Sequence, residues 1–109
     1  MKNKILKLSI KDISSLSDRY IKQFKFGGIF ITNESNFELG DEIFLVLNLE
    51  WIDESLAINS TVSYLSNSSS AFQPGIAVSF NNDKIAIDSK NKIEKILGNN
   101  IKLNNLLFK

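Results

Sequence analysis

The chain has 109 residues and a mass of 12.3 kDa, with 43% hydrophobic and 23% charged residues, no cysteine and no histidine. That length fits one domain with a core of its own. The absent residues exclude a disulfide framework, thiolate chemistry, sulfur-ligated zinc and every imidazole-based triad. The net charge is +1 and Arg19 is the single arginine, a poor endowment for holding nucleic acid through its phosphates.

The first residues, Met1 to Leu8, mimic the basic start of a secretory leader. Lys7 and Lys11-Asp12 interrupt the apolar stretch that such a leader needs, so the reading is a cytoplasmic protein. No apolar run reaches the length of a membrane span, which speaks against direct membrane insertion. Leu6, Leu8 and Ile10 alternate with Lys7 and Ser9, the pattern of a half-buried strand. Lys11 to Phe26 is more polar. Ile13, Leu16 and Tyr20 have helical spacing there, and a short helix or a loop laid over the core both satisfy it. Gly27-Gly28 breaks the chain as a tight turn, and Ile29-Phe30-Ile31 reads as a short strand.

Asn33 to Asn36 reads as a turn, and Gly40-Asp41 leads into the next strand. Ile43, Leu45, Leu47 and Leu49 alternate against Phe44, Val46 and Asn48, apolar on both faces at the start, as in a closed sheet. Asp53-Glu54 reads as a hairpin tip. Trp51 beside it either stands exposed or folds back over the sheet. Leu56, Ile58, Ser60, Val62 and Tyr64 form one period-two row. Ser66 to Ser70 reads as a mobile loop, closed by Pro74-Gly75, and Ile76, Val78 and Phe80 predict another strand. Then the period becomes helical. Ile85, Ser89, Ile93 and Ile96, with Ala86 and Leu97 beside them, make one stripe. Asn82 is the expected N-cap, Asp83 lies in the first turn and Gly98 is the stop.

Five or six short strands and one C-terminal helix predict a mainly β fold, a small barrel with the helix against one opening. One domain covers residues 1–98. Residues 99–109 read as a flexible tail, too short for a core of its own, whose Leu106 and Phe108 are apolar enough to settle on a partner. The carboxylate neighbours Asp41-Glu42 and Asp53-Glu54 would point to opposite faces of a strand and make poor catalytic dyads. Gly27-Gly28 is not followed by the Lys-Ser/Thr helix of a phosphate cradle. The expectation is a protein that is not an enzyme and takes no metal or cofactor.

Four stretches then stand out together. Gly27-Gly28-Ile29-Phe30-Ile31, Leu39 to Leu45, Pro74 to Phe80 and Asn91 to Leu97 resemble, in order and spacing, the PilZ domain family. The resemblance covers roughly residues 5–97 and is strongest to the branch that serves type IV pilus biogenesis. It implies a six-stranded antiparallel β-barrel with a C-terminal α-helix. Most PilZ domains receive cyclic di-GMP through an Arg-x-x-x-Arg and an Asp/Asn-x-Ser-x-x-Gly. Here one arginine cannot form the first. If Gly28 closes the second, Gln23 and Lys25 stand in its earlier places. Lysine meets a phosphate as a point charge without arginine's fork.

The pilus branch is similar to this chain in lacking that motif. It implies an adaptor for pilus assembly and twitching motility that binds the PilB-type extension ATPase and, in some bacteria, a FimX-like EAL-domain regulator. On that resemblance the partner surface takes in Tyr20, on a tyrosine position of the family, and Tyr64, where relatives often carry tryptophan. Ser17 stands where some relatives have another aromatic. Phe24 and Phe26 join the surface as aromatics in a polar stretch, unless they cap the barrel. The alternative is direct binding of cyclic di-GMP or another anion by Arg19, Lys22, Gln23 and Lys25.

Overall fold

The computed structural model describes residues 3–32, 36–66 and 75–98. The predicted turn at 33–35, the serine-rich loop at 67–70, Pro74 and the tail 99–109 with Leu106 and Phe108 lie outside the described residues. The fold is mainly β: a curled, half-barrel sheet of five strands, a short N-terminal helix and a longer C-terminal one. The strands are β1 (Asn3–Ile10), β2 (Gly28–Thr32), β3 (Glu42–Leu49), β4 (Glu54–Ser66) and β5 (Gly75–Phe80), in spatial order β1-β3-β4-β5-β2. The helices are α1 (Ile13–Arg19) and α2 (Lys84–Leu97).

Two expectations are corrected. The described sheet has five strands and remains open, with β1 and β2 as its edges, where six antiparallel strands were expected. Nor is it wholly antiparallel, because β1 pairs with β3 in parallel. The reason lies in the connection. The chain passes through α1 and β2 before β3 begins, so it returns to β1 in the same direction. The other pairs, β3–β4, β4–β5 and β2–β5, are antiparallel.

Registered partners share a face. Leu6, Leu45 and Ile58 therefore form one inner row, and Leu8, Leu47 and Leu56 the next. Ile29, Ile31, Ile76, Val78 and Phe80 continue that core on the far side of the sheet. Helix α2 seals it with Ala86, Ser89, Ile93 and Leu97, spaced for one helical face. The predicted stripe is turned slightly, because Ile85 is 63% exposed. The cap also moves by one residue. Asp83, not Asn82, accepts from the Ala86 N–H at 2.8 Å. Gly98 ends the helix with φ of +52°.

Residues 13–19 resolve into helix rather than loop because Asp12 caps them, accepting from the Ser15 N–H at 2.8 Å. That hydrogen bond also holds the Asp12 carboxyl below the usual carboxylate range. Between β3 and β4 the chain makes a single 3-10 turn, Glu50–Ile52, with Asp53 left-handed at φ of 52°. Trp51 folds back and packs half-buried against the core, and Glu54 forms an ion pair with Lys92 of α2. No described helix is long and apolar enough to cross a membrane.

Candidate functional site

The expected aromatic surface divides between the two faces of the sheet. Tyr20 lies on the inner side. It is 1% exposed, pairs with Ile29 in an isolated bridge, and donates its hydroxyl to Glu94 Oε2 at 2.5 Å. Lys90 Nζ stands 3.3 Å from the same carboxylate oxygen. Burial, reinforced by the adjoining carboxylate, pushes the Tyr20 hydroxyl far above its ordinary value. The Glu94 carboxyl is held below its own, chiefly by the tyrosine O–H. Tyr20 therefore ties the start of β2 to α2 and presents no surface. Phe26 likewise packs half-buried against the main core.

Phe24 and Tyr64 come together on the opposite, outer face. Beneath them lie Ile21, Phe30 and Ala77, all buried, in a small second cluster apart from the main core. Three elements position it. Phe30 of β2 is registered with Ala77 of β5, and Ala77 with Tyr64 of β4. Residues 21–24 then cross above, and the Phe24 ring lies over Gly28. A Cβ at Gly28 would sit 2.5 Å from Phe24 Cδ2 and 2.5 Å from the Val78 carbonyl oxygen. The requirement at Gly28 is therefore close approach. Only Gly27, at φ of +81°, meets the expected need for an unusual backbone.

Tyr64 reaches this face through a bulge. Val62 pairs with Val78 but Tyr64 pairs with the next residue, Ala77, so Ser63 is extra. Strict alternation from Leu56, Ile58, Ser60 and Val62 sends Tyr64 into the core. The inserted Ser63 reverses it, and the bulge is fastened by a 2.7 Å contact between the Ser63 and Ser79 hydroxyls. Tyr64 leaves the period-two row for that reason, and Tyr20 and Tyr64 do not share a face. Sequence reasoning missed Phe30, Ala77 and Ser63 as parts of this site. Neither a glycine nor a proline marks the bulge, so no local signal announces it.

Three of the four residues of the anion-binding alternative are directed to different partners. Arg19 Nη1 approaches the Phe30 carbonyl oxygen at 3.5 Å, at the β2 edge. Lys25 Nζ lies over the Phe26 ring, 5.4 Å from its centre. Lys22 is exposed, and its charge acts on Glu94 of α2. Gln23 is half-buried between Lys22 and Phe24. Among the described residues no three acidic side chains gather to hold a metal ion.

The outer aromatic patch is thus a half-buried pair, Phe24 and Tyr64, on a buried apolar floor. Aromatics held rigidly on such a floor lose little side-chain entropy when a partner covers them, which suits protein recognition. No family model and no curated protein matches this chain.

Proposed function

We propose that the chain is a PilZ-type adaptor of type IV pilus biogenesis. It works in the cytoplasm, without catalysis, by binding a PilB-type extension ATPase or a FimX-like EAL-domain regulator. In this reading the curled sheet and α2 are the PilZ barrel and its terminal helix, and the outer face carries the partner surface. The observation that supports it best is the seating of Phe24 and Tyr64 over Phe30 and Ala77. An aromatic at each of two expected positions stands on one surface, although they are far apart in sequence. The single arginine supports a protein that does not itself receive cyclic di-GMP. Separate partners for Arg19, Lys22 and Lys25 lend the direct-binding alternative no support.

The test is an amide-resolved NMR titration with the N-terminal part of the PilB-like ATPase from the same genome, repeated with its EAL-domain regulator. Saturable shifts around Phe24, Phe30, Tyr64 and Ala77 are expected. Tyr64→Ala should weaken binding at least tenfold, in line with about 2 kcal/mol for an aromatic hot spot. The Tyr20→Phe variant should bind as the native chain does. The reading fails if neither protein shifts the patch, or if Tyr64→Ala binds with native affinity.

A further inference from the structure

The two edges of the sheet are finished differently. Along β2, Tyr20 bridges Ile29, the Ile21 N–H donates to the Gly28 carbonyl at 2.8 Å, and Arg19 reaches the Phe30 carbonyl. Three successive residues of that edge are engaged. Along β1, every backbone partner among the described residues belongs to β3. In a parallel ladder alternate residues turn their N–H and C=O groups away from the partner, so half of the β1 groups face outward.

An unpaired edge is ordinarily blunted by shortness, proline, a bulge, a covering segment or charged side chains, lysine above all. Of these β1 shows, among the described residues, its lysines, Lys4 on the inner row and Lys7 on the outer. β1 is eight residues long, regular in register throughout, and holds neither proline nor glycine. Its side chains carry the same signature. On the inner face Leu6 and Leu8 are only half-buried, while their β3 partners Leu45 and Leu47 are fully buried. Among the described residues the apolar rows end at β1. On the outer face Ile5 is 72% exposed, beside Phe44 at 42%. Charge adds a direction. Asn3–Ile10 contains lysines and no acidic residue. Lys4 is committed to the Asn36 carbonyl at 2.7 Å and lies over the Phe37 ring. Lys7 is exposed in mid-strand and Lys11 is exposed just beyond it.

We propose that β1 receives an extended, acidic segment of another protein as an added strand. Its alternate apolar side chains complete the rows of Leu6 and Leu8, and its carboxylates, on the outer face, meet Lys7. Main-chain pairing supplies the attraction and side-chain alternation the choice of partner. A second copy of this chain fits less well, because its β1 brings the same lysines and no acid to neutralise them. This surface is distinct from the aromatic patch.

The experiment uses the full chain and two blocked nine-residue peptides, one alternating valine with glutamate and one alternating valine with lysine. Amide hydrogen exchange is followed by NMR, with the β1 amides that face β3 as internal reference. The valine–glutamate peptide should slow the outward β1 amides at least tenfold, and the valine–lysine peptide should not. Lys7→Glu, an exposed change that the amide spectrum will show to be folded, should reverse that preference. Tyr64→Ala should leave it intact, which separates this surface from the adaptor patch. The proposal is overturned if millimolar valine–glutamate peptide slows nothing or if both peptides act equally. It is also overturned if the outward amides are already protected in the free chain. Protection independent of concentration would mean that the chain covers its own edge, and protection rising with a sedimenting dimer would mean a second copy does.

Discussion

Replacing Tyr20 by phenylalanine removes one hydroxyl and leaves the ring in place. That hydroxyl donates to Glu94 Oε2 at 2.5 Å and joins residues 74 positions apart. A hydrogen bond to an ionised acceptor contributes about 1.5–3 kcal/mol. Glu94 keeps Lys90 at 3.3 Å and its side chain is 28% exposed, so the change strands no buried charge. The lower end, about 1.5 kcal/mol, is therefore expected at pH 7, or a fall in Tm of about 6 °C for a domain of this size. The pH dependence gives the sharper check. The folded Glu94 carboxyl sits below its ordinary value of 4.5, first through the Tyr20 hydroxyl and then, against burial, through Lys90. A carboxyl lowered by folding contributes its full stabilisation above the unfolded value. It loses that stabilisation as pH falls through the folded value. The gap between native chain and Tyr20→Phe should therefore be widest near neutrality and shrink below about pH 4.5. Urea unfolding read by circular dichroism at several pH values measures it, and Glu94→Gln in both backgrounds isolates the pair. A gap under 0.5 kcal/mol at neutrality, or one that stays constant through acidification, would refute the assignment of Tyr20 to this bond.

Gly28→Ala should cost about 1–3 kcal/mol in urea unfolding, because its Cβ meets a backbone carbonyl as well as the Phe24 ring. Phe24 ring resonances should move in that variant while those of Trp51 do not. Asp83→Ala should cost about 1 kcal/mol through the lost cap on the Ala86 N–H, and Asp83→Asn should restore most of it. Deleting Ser63 should remove the extra residue and leave Tyr64 directly behind the inward Val62, still opposite Ala77 on the outer face. Nuclear Overhauser contacts from Tyr64 to Phe30 should persist, and a deletion variant that loses them would show the bulge to be elsewhere.

What was legible in the sequence is what repeats locally. Alternation along Ile43 to Leu49 located β3, and a change of period located α2, because inward residues recur every two or every 3.6 positions. Pairing is not local. Nothing in Leu6, Leu8 and Ile10 announces that their strand lies parallel to β3, since that depends on the path through α1 and β2. The polarity of Lys11 to Phe26 misled for a related reason. It averages over a helix that buries Leu16 and Ser17, a tyrosine sunk into the core and a crossing that covers the outer face. The outer patch lies furthest from sequence reasoning because it is made by an exception to the rule that reveals the strands. Ser63 is left unpaired in β4, and that bulge keeps Tyr64, two residues after the inward Val62, on the face where Phe24 lies over Gly28. The same residues paired without the bulge would turn Tyr64 towards the core and lose the surface. The bulge, rather than the tyrosine alone, is therefore the feature on which the proposed recognition depends.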